Sequence, residues 1–194
     1  MPTRVNGAAD AKVRILTVAL RLFSERGVAA TSLREVARVA VVAPGLVVHH
    51  FGGKDGLHEA VDDHVISLFR NALNSVPLDG PAAEVVASRS EATTRLFEES
   101  PETIDYLRRV VVTPDPGDVG LANKLIAESI SQTRRLHEHG IARTTVPVEE
   151  QAMAFLIRML GNWLLQPMLG RLWGLSGANS PVPTVRVTLQ DRRG

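Results

Sequence analysis

The 194-residue chain contains no cysteine, which excludes a disulfide framework, a cysteine-ligated zinc site and a thiol nucleophile. Aromatic residues are scarce, with five phenylalanines, two tryptophans and one tyrosine, so a ligand cavity here is expected to be aliphatic rather than ring-lined. Neither sign of charge dominates: 22 Lys and Arg stand against 21 Asp and Glu. The opening segment MPTRVNGAADAK lacks the apolar core of an export signal, and a cytoplasmic location is expected. The most apolar stretch, Met153 to Leu175, is interrupted by Arg158, Asn162, Gln166 and Arg171. A membrane span needs about 20 mostly apolar residues, so this stretch reads as an amphipathic helix and no membrane partner is expected. There is no phosphate-cradling glycine loop, no HExxH helix and no nucleophile constellation. His58 and Asp62 share a helix face at i, i+4, but two potential ligands fall short of a metal site. The chain is accordingly read as a non-enzyme, with no catalytic residue, cofactor or metal assigned.

Hydrophobic residues make up 44% of the chain, enough for a real core in one or two domains. Their spacing is helical almost throughout. Val13, Leu16, Ala19, Leu20 and Phe23 set a first helix over 11–26, which Gly27 is placed to end. A longer stripe, Leu57, Ala60, Val61, His64, Val65, Leu68, Phe69 and Leu73, predicts a helix to about Ser75. Further helices are expected at 82–99, 102–112, 118–139 and 147–172, separated by Ser100-Pro101, by TPDPGD at 113–118 and by the Gly140 region. Val182 to Leu189 is rich in β-formers but short, and reads as an extended tail. The fold class is all-α, with about eight helices.

Between the first helix and the long one lies TSLREVARVAVVAPGLVVHHFGGKDGL, residues 31–57. Ser32 precedes Glu35 by three residues, the spacing of a reciprocal capping box, so a helix starts at Leu33. Leu33, Val36, Ala37 and Ala40 can be buried together while Arg34, Glu35 and Arg38 stay wet. Pro44 suits a first helical position, and Gly52-Gly53 ends a second helix of about two turns. Two short helices around a tight turn have the outline of a DNA-binding helix-turn-helix, which must lean on flanking helices for its core. Residues 1–60 hold eight basic against five acidic residues, and the remainder is slightly acidic. A basic end on a neutral body is what a phosphate backbone would meet.

From Arg14 to Leu57 the chain resembles the tetracycline-repressor (TetR) family of bacterial regulators. The matching pieces are ILTVALRLFSERGVAATSLREVARVA, GLVVHHF and the Lys54-Asp55-Gly56-Leu57 start of the long helix. The resemblance implies an N-terminal three-helix DNA-binding domain and a C-terminal helical domain that binds a small molecule and pairs two subunits through a four-helix bundle. The expected domains are 10–56, 57–175 and a tail at 176–194. Three positions depart from the family pattern. Val41 replaces the usual turn glycine, Ala43 the usual serine or threonine cap, and Val48 a tyrosine or basic residue that meets the phosphate backbone.

Docking of the motif in a major groove would bring Pro44, Gly45, Val48 and His49 nearest the bases, with His50 beside them. Gly45 allows close backbone approach, and Val48 can offer an apolar contact to a thymine methyl. Lys54, Thr31, Ser32 and Arg34, at helix starts, are phosphate candidates. Val47 and Phe51 are expected in the core. Phe69, Phe97, Tyr106 and Leu107 are candidate walls of an effector site, although each suits ordinary core as well. The candidate dimer interface comprises Leu125, Ile126 and Ile130 of one helix with Met153, Leu156, Leu160, Leu164 and Met168 of the last. The functional expectation is a homodimeric, ligand-responsive repressor that binds a pseudo-palindromic operator in double-stranded DNA and is released by a small-molecule effector. The alternative, motivated by Val41, Ala43 and Val48, is a dimeric ligand-binding or interaction module with little specific DNA binding.

Overall fold

The computed structural model describes residues 4–112, 119–177 and 179–183. The expected turn at 113–118 and the extended tail beyond 183 lie outside them. The described residues form eight helices and no strand. These are α1 (Arg4–Arg26), α2 (Leu33–Val39), α3 (Pro44–Phe51), α4 (Lys54–Asn74), α5 (Ala82–Glu99), α6 (Pro101–Val112), α7 (Gly120–Glu138) and α8 (Val148–Leu175). No helix among the described residues is long and apolar enough to cross a membrane. The chain divides into two compact units, Met1–Val76 with Val86–Lys124, and Pro77–Val85 with Leu125–Gly194.

In the first unit α1 packs on α2, α3, α4 and α6. Its buried face is Ala11, Ile15, Ala19, Leu20, Leu22 and Phe23. That face is rotated from the expected stripe, and Val13 is 60% exposed. Ile15 and Leu22 fit the same period one turn away and are the bulkier anchors. Leu57, Val61 and Val65 of α4 and Val47 of α3 have no exposed surface. Each such aliphatic side chain contributes about 1.5–3 kcal/mol on burial, and together they close the core beneath the two short helices. The C-terminal end of α1 is tied to α6 by Arg109, whose Nε donates to the Ser24 carbonyl at 3.1 Å and whose Nη2 donates to that of Glu25 at 2.8 Å. Those carbonyls have no acceptor role left inside the helix, and a guanidinium suits both their lone pairs and the negative end of the helix dipole.

The interior of this unit is not wholly apolar. Asp62, on the core face of α4, is 3% exposed and accepts a 2.6 Å hydrogen bond from the Tyr106 hydroxyl of α6. His58 lies one turn back, with Nε2 3.9 Å from the same carboxylate and its ring edge-on to Phe23. Phe69 and Phe97 meet edge to face at 5.4 Å.

In the second unit Ser129 joins α7 to α8 by donating to the Ala152 carbonyl at 2.9 Å. From Leu125 onward the buried row of α7 is otherwise polar: Glu128, Ser129, Gln132 and Thr133. Gln132 donates to Glu128 at 2.8 Å and Thr133 to the Ser129 carbonyl at 2.9 Å, so these groups are satisfied locally. Helix α8 departs from the amphipathic expectation. Ala152 and Leu156 are buried, but Met153, Ile157, Leu165, Met168, Leu172 and Leu175 are exposed along one side of the helix. Residues after α8 turn back along it, with Trp173 Nε1 donating to the Ser180 carbonyl at 2.9 Å and Gln166 Nε2 to that of Pro183 at 3.1 Å.

Candidate nucleic-acid interface

Helix α2 begins where the sequence places it. The Ser32 hydroxyl accepts from the Glu35 N–H at 3.2 Å, which satisfies one orphan amide of the first turn. The reciprocal half of the capping box is replaced by an ion pair, because Glu35 Oε1 accepts from Arg26 Nη1 of α1 at 2.5 Å. That bond holds the start of α2 against the end of α1. Val36, Ala37 and Ala40 are buried, while Arg34 and Arg38 are exposed.

Chain reversal after α2 needs a left-handed residue, and Val41 supplies it at φ 56. It is the one non-glycine with positive φ among the described residues, a conformation that costs a β-branched side chain about 1–2 kcal/mol. Its side chain is 85% exposed, so no packing compensates. Ala43 occupies the N-cap of α3 without a side-chain hydrogen bond, and Pro44 follows at the first position. Gly52 ends α3 at φ 75. Gly56 then permits the tight passage into α4, since a Cβ there would collide with the Phe51 carbonyl oxygen.

The candidate contact residues separate into three groups. Pro44, Gly45, Val48 and His49 lie together on the exposed side of α3, with Val48 48% exposed, while Val47 and Phe51 are buried as expected. Arg34 and Ser32 are surface groups at the opening of α2. Thr31 and Lys54 are engaged within the protein. The Thr31 hydroxyl is buried and donates to the Gly27 carbonyl at 2.9 Å, and Lys54 Nζ reaches from α4 to the Ala29 carbonyl at 2.9 Å. Both bonds fix the α1–α2 loop. His50 is half-buried, and its Nε2 is enclosed without a hydrogen-bond partner. A shallow apolar depression of about 500 Å³ runs beside the turn, lined by Val13, Thr17, Val18, Val39, Ala40 and Val41, with Arg14 at its wall.

The other candidate groups are distributed as follows. Phe69, Phe97, Tyr106 and Leu107 are all buried in the first unit. Leu125 and Leu156 are buried in the second, Ile126, Ile130, Leu160 and Leu164 are half-buried, and Met153 and Met168 are exposed. Asp62, paired with His58 in the sequence as a face with too few metal ligands, is buried rather than exposed. The signal for that burial was its position, one turn from both His58 and Ile66 within the apolar stripe of α4. Among the described residues no three His, Asp or Glu side chains are grouped to hold a metal.

The structure therefore belongs to the class of all-α proteins with a three-helix N-terminal helix-turn-helix, α1 supporting the pair α2 and α3. Residues 15–61 match the family described as bacterial regulatory proteins, tetR family. The match runs from α1 into α4 and so covers the helix-turn-helix module. It is 45% identical over 75 residues to the HTH-type transcriptional repressor Rv3405c of Mycobacterium tuberculosis, a match covering 39% of this chain and 38% of that one. The chain thus spans well under half the length of that relative. Fold similarity extends further. A putative tetR family transcription regulator from Shewanella sp. PV-4 superposes with a TM-score of 0.67 at 21% identity, covering 86% of this chain and 90% of that one. A gamma-butyrolactone receptor described as ArpA-like superposes at 0.58 with 20% identity, covering 87% of each.

Proposed function

We propose that the chain is a transcriptional repressor that binds a pseudo-palindromic operator as a homodimer and leaves it when a small-molecule effector binds. The observation that carries this reading is the exposed side of α3, held out by a core of α1, α2 and α4 that is fully buried beneath it. Two such helices would have to sit about 34–36 Å apart to read successive major grooves. Support for pairing comes from α8, whose apolar side chains are exposed on faces that a second chain would cover. We assign the interface to Leu125, Ile126, Ile130, Met153, Leu156, Leu160, Leu164 and Met168. The domains of this reading are 10–56 for DNA, 57–175 for effector and partner, and a tail at 176–194, in a cytoplasmic protein without catalytic turnover.

Phe69, Phe97, Tyr106 and Leu107 form the assigned effector wall. The likeness to a protein described as a gamma-butyrolactone receptor supports a small-molecule role. Helix α6 would carry the signal, because Tyr106 grips Asp62 of α4 and Arg109 grips the end of α1. An effector shifts operator affinity only by its own difference in affinity for the two arrangements.

The second reading is a dimeric ligand-binding or interaction module with little operator affinity. The strained Val41 and uncapped Ala43 favour it. Capture of sheared source DNA by the full chain at near-physiological salt, followed by sequencing, separates the two. Enrichment of a short inverted repeat is expected. Uniform, salt-labile recovery would overturn the repressor reading.

A further inference from the structure

The exposed side of α3 is chemically unusual for a surface meant to read base edges. Its sequence, PGLVVHHF, has no hydroxyl, amide, carboxylate, ammonium or guanidinium side chain, so only the two histidines can hydrogen-bond through a side chain. Ala43 and Val48 add exposed methyl groups at the front of the helix, and Pro44 adds an exposed ring. Gly45 is exposed as well. A Cβ built there meets nothing within 4 Å, so no internal contact requires glycine, although glycine in a helix costs about 1 kcal/mol relative to alanine. Internal packing does not explain the residue, whereas close approach of an external surface does. Arg34 and Arg38 are exposed on α2, the helix packed against α3. An apolar helix front with cations on the adjoining helix complements a major groove, with phosphates at its rim and thymine methyl groups on its floor.

We infer that α3 selects its operator chiefly through thymine C5-methyl groups packed against Val48 and the neighbouring Ala43–Gly45 surface, rather than through bidentate hydrogen bonds to bases. The inference rests on the operator-binding reading above. It makes thymine, and not the adenine paired with it, the recognised partner at one or more positions of each half-site.

The test begins with selection of a preferred duplex from a randomised library by the full chain, followed by resynthesis of that duplex with deoxyuridine in place of thymidine, one position at a time. Pairing is unchanged and only the methyl group is lost. Loss of one buried methyl should weaken binding about fourfold, and about fifteenfold when both half-sites are altered. Val48→Ala should bring the thymidine-to-deoxyuridine ratio close to one at the affected position. Gly45→Ala should bind the duplex more weakly while its thermal stability holds or rises, a pair of effects that a folding defect does not produce. A selected duplex indifferent to deoxyuridine would overturn the inference and leave the operator reading standing. A methyl effect that persists in Val48→Ala would remove Val48 as the reader. Failure to select any duplex over random DNA would overturn the operator reading, and this inference with it.

Discussion

The helices around the helix-turn-helix and the last long helix solve the problem of apolar surface in opposite ways. In the first region Ile15, Ala19, Val47, Leu57, Val61 and Val65 come from three helices and seal one another from water. In α8 the apolar residues point several ways, and Met168 and Leu172 are each 55% exposed. A helix that is apolar most of the way round is stable only when neighbours cover it. The first region buries its apolar residues within one chain, whereas the second leaves apolar side chains of α8 exposed, the surface that the proposed homodimer would cover.

Core truncation should break this contrast most sharply. Leu57→Ala, at a site with no exposure, is expected to cost about 2–5 kcal/mol in urea unfolding, whereas Leu175→Ala at the exposed end of α8 should stay within about 0.5 kcal/mol. Equal losses would mean that the two regions do not differ as described.

A smaller effect is expected inside the first region from Tyr106→Phe. It removes the hydroxyl that donates to buried Asp62, and reduced satisfaction of that carboxylate should cost about 1–3 kcal/mol. Tyr106→Phe together with Asp62→Asn should show strong coupling in a double-mutant cycle.

Two substitutions should strengthen the recognition unit. Val41→Gly relieves the left-handed strain at φ 56, for a net gain of about 0.5–1 kcal/mol once the greater entropy of unfolded glycine is counted. Ala43→Ser restores a cap for α3 and should add about 1 kcal/mol. Thermal melting of each variant against the parent chain checks both, and a lower melting temperature would show that the turn is shaped by something other than strain.

The smallest effect concerns pH. Burial holds the His64 imidazole below its ordinary value, because the charged form loses hydration. The unfolded chain then binds the proton more readily than the folded one. This contribution to stability is therefore complete above about pH 6.5 and declines as the pH falls below it. His64→Asn should flatten the slope of stability against pH in that window, and an unchanged slope would remove His64 as its source.

Much of the fold was legible because its boundaries are written locally. Ser32, Pro44 and Gly52 act within one turn of where they stand, and each begins or ends a helix as its chemistry requires. Long-range packing was less legible. Glu35 was expected to reach back to its own cap, but Arg26 of another helix takes it. On α1 two overlapping apolar stripes compete, and the choice of Ile15 and Leu22 over Val13 depends on neighbours. The burial of Asp62 escaped because periodicity counts a carboxylate as a surface group, while Tyr106, 44 residues away, makes it an interior one. The exposure of the Met153, Ile157, Met168 and Leu172 side of α8 appeared only in three dimensions. At the candidate interface the exposed positions on α3 followed from helical spacing. The inward turn of Thr31 and the diversion of Lys54 to the Ala29 carbonyl depended on loop geometry that one-dimensional spacing does not carry.

The most direct test of the contrast is sedimentation equilibrium of the full chain beside a Leu160→Glu, Leu164→Glu variant, with circular dichroism on both. A parent of twice the chain mass is expected, with a variant that keeps its helical signal but sediments as a single chain. A monomeric parent, or a variant that remains a dimer, would contradict this expectation.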